Sequence, residues 1–165
     1  MKYLFLMLLS LLALATHAQN PTSLIISGLV NQTLTVGSGD LTLLPVKTGG
    51  PLSVVSSSGQ VRKTISSYKA VLLRDLLDKA GIRMANQKDK GKYYVVARAT
   101  DGYTAIFAHN ELYNNPTGQQ TLVLFEEDGT PIGKDGPFVL FVTNDLVSGA
   151  RHVKWLSQIE VRKVD

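Results

Sequence analysis

The chain has 165 residues, with 17 Lys and Arg against 13 Asp and Glu, and it contains no cysteine. The lack of cysteine excludes disulfides, iron–sulfur clusters, thiolate metal sites and cysteine nucleophiles. The net charge of +4 is modest, and the basic residues are scattered along the chain. Nucleic-acid binding needs a concentrated basic face, so the sequence does not indicate it.

The N-terminus has the features of a secretory signal peptide. Lys2 supplies a positive start, an apolar run covers residues 4–15, and Ala18 is the small residue before the predicted cleavage point. The apolar run is shorter than the roughly 20 residues that span a bilayer. We therefore predict a signal peptide over residues 1–18 and one domain over residues 19–165, without a membrane span in the mature chain. The expected location is periplasmic or secreted.

Short elements are predicted next along the chain. Apolar runs typical of strands cover residues 24–30 and 52–55. Asp40 can cap a short helical turn that ends at Leu44, because the following Pro45 cannot continue a helix.

The clearest predicted helix covers residues 71–80. Its apolar residues recur with the 3.6-residue period of one helix face, and Gly81 follows as a stop signal. We assign this helix to the core, without a chemical role.

The C-terminal half reads mainly as strands. Residues 108–113 predict a short helix, and strand patterns cover residues 93–99, 103–107, 121–125, 138–142 and 159–164. Many short strands with few helices predict an α+β fold, a mixed and mainly-β domain with short helices.

Three sequence blocks resemble the molybdopterin-binding domain of the sulfite oxidase family. They are residues 68–77 (Tyr-Lys-Ala-Val-Leu-Leu-Arg-Asp-Leu-Leu), the turns that begin at Asp101, Asp128 and Asp135, and residues 149–156 (Gly-Ala-Arg-His-Val-Lys-Trp-Leu). The likeness covers about residues 52–164. It implies a mixed α+β fold with a cleft for a phosphate-bearing pyranopterin, which holds molybdenum together with a cysteine of the protein.

The resemblance places cofactor-contacting residues at Arg151, His152, Val153 and Lys154. The Lys154 ammonium would pair with the phosphate, and the backbone N–H groups of residues 152 and 153 would add donors, because a buried phosphate needs cations and N–H groups. The alternative is a solvated loop that is fixed by Trp155 in the core. Both interpretations stay open from the sequence.

This chain lacks residues on which the chemistry of that family depends. The family cysteine would lie within residues 55–62, which here read Val-Ser-Ser-Ser-Gly-Gln-Val-Arg, and Val139 stands where the family has an arginine. A serine hydroxyl is a poorer anionic ligand than a thiolate. Lys2 is the only basic residue of the signal, whereas export of a folded, cofactor-loaded enzyme uses twin arginines.

The sequence therefore favours an exported module that binds an anionic small molecule, such as a pterin cofactor, without catalysis. Two alternatives stay open. One is a molybdopterin-dependent oxidoreductase without a protein cysteine ligand, and the other is a structural domain with an empty cleft that binds another periplasmic protein. Neither a metal site built from His109, Glu111 and His152 nor a hydrolase triad has the expected spacing.

Overall fold

The computed structural model describes residues 22–165 of the chain. The predicted signal peptide over residues 1–18 lies outside the described residues and stays a prediction. Within the part that is described, no helix combines the length and apolar character needed to cross a membrane.

Residues 22–165 form twelve strands and three short α-helices. The strands are β1 (Leu24–Gly28), β2 (Leu34–Val36), β3 (Lys47–Gly49), β4 (Leu52–Val55), β5 (Val61–Ile65), β6 (Tyr68–Leu72), β7 (Tyr93–Ala99), β8 (Thr104–Ala108), β9 (Thr121–Glu127), β10 (Thr130–Pro131), β11 (Val139–Val142) and β12 (Leu156–Lys163). The helices are α1 (Ser38–Leu41), α2 (Leu73–Ala80) and α3 (His109–Tyr113). Short 3-10 helices cover Gln87–Lys92, Pro116–Gln119 and Ser148–Arg151.

The first sheet has the strand order β2-β1-β12-β7-β8. β1 runs parallel to β12, and the other neighbours are antiparallel. Exposed and buried residues alternate along β8, as in a strand with one face on the core. The main hydrophobic core lies on the inner face of this sheet, where α2 also packs.

The second sheet is the middle layer of the molecule. β9 pairs with β6 on one edge and with β10 and β11 on the other, and β3 extends the sheet beyond β6. Val123 and Leu140 belong to the main core, whereas Leu124 and Val139 belong to a second core. Both faces are therefore buried, which explains why β9 and β11 read as nearly continuous apolar runs.

The hairpin of β4 and β5 forms the third layer. Leu52, Val54 and Ile65 from this hairpin complete the second core against β6, β9 and β11. The hairpin thus covers the outer face of the middle sheet, and its tip extends beyond that core. This placement brings residues 55–62 to the surface near the 3-10 turn at Ser148–Arg151.

The predicted α+β, mainly-β fold is confirmed, but several boundaries differ. The helix predicted over residues 71–80 begins at Leu73, because Val71 and Leu72 pair with β9 as the end of β6. Asp40 lies inside α1 rather than before it: Gly37 is the N-cap residue, and the Asp40 carboxylate at position N3 accepts a capping-box hydrogen bond from the Gly37 N–H at 2.7 Å.

Candidate functional site

A cleft of about 490 Å³ opens between the β4–β5 hairpin and the 3-10 turn at Ser148–Arg151. It is lined by Val54, Ser56, Ser57, Arg62, Asp101, Tyr103, Val147, Gly149, Ala150, His152 and Lys154. The cleft therefore joins the two segments that the sequence singled out, residues 55–62 and residues 151–154.

Ser148 joins the two sides of the cleft. Its side chain is buried, and its Oγ accepts a hydrogen bond from the Val55 N–H at 2.9 Å and donates to the Ser53 carbonyl at 2.7 Å. The next residue, Gly149, lies so close to the hairpin that an added Cβ would be 2.8 Å from the Val55 carbonyl oxygen. Glycine at this position permits the close approach of the two backbones.

Arg151, the first of the predicted site residues, is not among the lining residues of the cleft. Its Nε donates to Asp145 at 2.7 Å, its other guanidinium nitrogens bind Asp145 and Glu111, and the guanidinium lies 4.9 Å from the centre of the Phe107 ring. The Asp145 hydrogen bond raises the pKa of Arg151 above its usual range, although burial opposes it. The charge of Arg151 is thus used within the fold.

His152 and Val153 are buried between the cleft and the middle sheet. Val153 is fully buried, and its N–H donates to the Leu140 carbonyl at 3.0 Å, so this amide is already engaged. His152 lines the cleft and contacts Phe141 edge-on, and within residues 22–165 its Nε2 has no hydrogen-bond partner. Burial, helped by the charge of Lys154, lowers the pKa of His152 to about 4, so the ring is neutral at pH 7.

Lys154 lines the cleft and is half-exposed. Its Nζ lies 2.9 Å from Asp135 Oδ1, and the other oxygen of Asp135 binds Lys63, which also binds Glu127. Trp155 is half-buried and packs against Gly136. Residues 151–155 are therefore packed against the rest of the fold, and Lys154 faces the cleft.

Arg62 is the site residue that the sequence reasoning missed. It lies on β5, is exposed, lines the cleft and forms no ion pair with any residue between 22 and 165. The resemblance had marked residues 55–62 only as the position of a lost cysteine. Arg62, the last residue of this range, has no ion pair within the described residues, and the Asp101 carboxylate lines the same cleft.

The donor set opposite Lys154 does not fit a protein-anchored molybdenum. Ser56 Oγ lies 2.9 Å from Ser58 Oγ and donates to the Gln60 carbonyl, so this hydroxyl is used within the hairpin. Val139 is fully buried under the hairpin and supplies no cation to the cleft. No cluster of three His, Cys, Asp or Glu side chains suited to a metal occurs anywhere from residue 22 onward.

His109 and Glu111 do not join His152. His109 stacks on Tyr113 at 4.5 Å and lines a second cleft of about 430 Å³ beside α2, whereas Glu111 binds Arg151. Burial lowers the pKa of His109. The second cleft shares no lining residue with the first.

Together, the fold and the site define an α+β domain whose cleft carries two cations, the Asp101 carboxylate and serine hydroxyls. The chain belongs to the oxidoreductase molybdopterin binding domain family, whose model matches residues 15–165. This match confirms the resemblance that the three sequence blocks indicated.

A similar fold occurs in the sulfane dehydrogenase SoxCD from Paracoccus pantotrophus. The two chains are 21% identical, and the TM-score is 0.62. The likeness covers 89% of this chain but only 40% of that one, so this chain spans less than half the length of its structural relative. No curated protein matches the chain.

Proposed function

We propose that the protein is an exported binding module that holds an anionic ligand, such as a phosphate-bearing pterin, without catalysing oxygen-atom transfer. One observation carries this proposal: Arg62 and Lys154 line the same cleft, where serines occupy the hairpin and the whole chain lacks cysteine. The site thus offers anion binding without a sulfur ligand for a metal.

The cleft supports an anionic ligand that also has an apolar or aromatic part. Arg62 can donate two parallel hydrogen bonds to a phosphate, and Lys154 adds a point charge. Val54, Val147 and the Tyr103 ring supply the apolar walls, and Tyr103 is held by a 2.8 Å hydrogen bond from its hydroxyl to the Ala150 carbonyl. A pterin with a terminal phosphate has this combination of a flat ring and an anion.

The redox chemistry of the family has less support. When bound, the cofactor of this family supplies oxygen-atom transfer at molybdenum. In this cleft, Ser56 and Ser57 are the hairpin hydroxyls, and a hydroxyl loses its proton far less readily than a thiol. The signal-like N-terminus with the single basic residue Lys2 also supports export by a route for unfolded chains, which would carry no bound cofactor.

Calorimetric titration of the mature chain, residues 19–165, with a phosphate-bearing pterin tests this proposal. We expect saturable binding, and Lys154→Ala should weaken it about tenfold because one charge-assisted contact is lost. Lys134→Ala is the matched control, because this substitution removes the same charge from an exposed residue that does not line the cleft. Equal affinity of the parent and Lys154→Ala would contradict the proposed site.

A second candidate function is docking of another periplasmic protein at the mouth of the cleft. Leu146 is 93% exposed, its chain neighbour Val147 is also exposed, and Val147 shares the cleft with the exposed Tyr103. Such a cluster of apolar side chains is typical of interaction surfaces. If Leu146→Ser abolishes co-purification of a partner from the host while ligand titrations show no binding, this function replaces the first.

A further inference from the structure

A network of alternating charges runs from the interior of the molecule to the cleft. Asp135 accepts from Lys63 at 2.8 Å through Oδ2 and from Lys154 at 2.9 Å through Oδ1, and Lys63 also binds Glu127. The two carboxylates are nearly buried, with side chains 7% and 10% exposed, whereas the Lys154 side chain is 49% exposed. We call these four residues the Lys63 network.

Lys63 lies at the centre of this network and connects two layers of the fold. It belongs to β5 of the hairpin, whereas Glu127 ends β9 and Asp135 lies in the segment between β10 and β11. Burial would raise the pKa of Asp135, but hydrogen bonds from the two lysines hold it below its usual value. Asp135 is therefore an anion whose charge is shared between two ammonium groups.

This sharing determines how much of the Lys154 charge is left for a ligand. Without Lys63, the nearly buried Asp135 would have Lys154 as its single cationic partner, and the pair would tighten. Without Glu127, Lys63 would satisfy Asp135 more fully, and Lys154 would be released toward the cleft. An incoming anion competes with Asp135 for the same ammonium.

We propose that Lys63 is a positioning residue for the anion site: by holding Asp135 and Glu127, it keeps the Lys154 ammonium at the cleft and available to a ligand. Lys63 itself is not among the residues that line the cleft, so it acts through Asp135 and Lys154. This inference rests on the proposed function and adds a determinant of affinity behind the cleft wall.

Calorimetric titration with inorganic phosphate tests the proposal, because two substitutions in the network should change phosphate affinity in opposite directions. We expect Lys63→Met to weaken phosphate binding about fivefold and Glu127→Gln to strengthen it about twofold, as is typical of coupled charge pairs. Lys63→Arg should restore binding to near the parent value. Lys69→Met and Glu126→Gln are matched controls, because these residues form the adjacent, more exposed ion pair across β6 and β9.

A double-mutant cycle separates positioning from general loss of charge or structure. In a Lys154→Met background, Lys63→Met should have almost no further effect on phosphate affinity, because the ammonium through which Lys63 acts is absent. If the fivefold loss persists in that background, or if Lys63→Met and Glu127→Gln change affinity in the same direction, the proposal is wrong.

The reactivity of the Lys154 amine gives a readout that needs no ligand. Under limiting acetic anhydride, Lys154 should be acetylated about threefold more slowly in Lys63→Met and faster in Glu127→Gln than in the parent, because a tighter ion pair protects the amine. Unchanged Lys154 reactivity in both variants would overturn the role of Lys63. Absence of phosphate binding by the parent, with these reactivity changes present, would instead overturn the proposed function alone.

Discussion

The two walls of the cleft differ in how their charges are used. On the wall formed by residues 148–154, Arg151 binds Asp145 and Glu111, Lys154 binds Asp135, and His152 is neutral and buried. On the hairpin wall, Arg62 has no ion-pair partner among the described residues. Residues 149–156, the more distinctive sequence block, are thus mainly a packed part of the fold. The cation without an ion pair within residues 22–165 comes from the hairpin, whose sequence is less distinctive.

Because of this difference, we expect substitutions in one wall to change mainly the stability of the protein and substitutions in the other to change mainly its affinity for a ligand. A change at Ser148, Arg151 or His152 should mainly lower the free energy of unfolding, because these side chains are buried or bind buried and partly buried groups. A change at Arg62 should mainly lower ligand affinity, because Arg62 is exposed and forms no ion pair within residues 22–165.

The largest expected effect concerns His152 and pH. Its folded pKa of about 4 lies below the unfolded value of about 6.5, so the unfolded chain binds the proton more readily. The associated stability is present above pH 6.5 and is lost as the pH falls toward 4, by about 3 kcal/mol. Urea unfolding of His152→Gln should show this much less acid destabilisation between pH 7 and pH 4 than the parent. Equal pH dependence would contradict a buried neutral His152.

The next effect concerns Arg151. Arg151→Met should lower the free energy of unfolding by about 2 kcal/mol, because Asp145 and Glu111 lose their shared, partly buried partner. Arg162→Met is the control, since Arg162 forms an exposed pair with Glu160, and such pairs contribute little. Urea unfolding at pH 7 compares them. If the two variants are equally stable, Arg151 does not fix this wall.

A smaller loss is expected from Gly149→Ala. The added Cβ would lie 2.8 Å from the Val55 carbonyl oxygen and push the hairpin away from the turn, at a cost of about 1.5 kcal/mol. Gly133→Ala provides the control, because an added Cβ there meets no atom within 4 Å. Thermal unfolding that gives the same midpoint for both variants would show that the two walls are not in close contact.

The smallest expected effect, that of Arg62→Met, distinguishes the roles of the two walls most clearly. Arg62→Met should weaken phosphate binding about fivefold, near 1 kcal/mol, and leave the unfolding midpoint unchanged. Arg83→Met removes the same charge from an exposed residue that is not among the lining residues. Calorimetric titration measures the phosphate affinity, and unfolding curves on the same samples measure the midpoint. A loss of stability in Arg62→Met, or equal phosphate affinity in both variants, would contradict the comparison.

The buried strands were predictable because their sequence pattern follows directly from burial. β9 and β11 lie in the middle sheet with both faces covered, and such strands read as apolar runs. β5 was missed because Val61–Ile65 is mostly polar and exposed, and β3 was missed because all three of its residues are exposed. Strands without an apolar face carry little local signal.

The sequence singled out two segments that share one cleft, but it did not predict the contacts that their side chains make. The resemblance identified residues 55–62 and 151–154, and the structure places parts of both segments on one cleft. The partners of Arg151 lie 6 and 40 residues away, and Asp135 lies 72 residues from Lys63. Such long-range pairings decide which cation is left for a ligand, and no local pattern encodes them.

The most direct test of the central claim is the molybdenum content of the protein purified from its own host. The cleft carries serine hydroxyls and the chain contains no cysteine, so we expect no stoichiometric molybdenum by elemental analysis, together with a colourless protein. One molybdenum atom per chain in native material would contradict the proposal of a non-redox binding module.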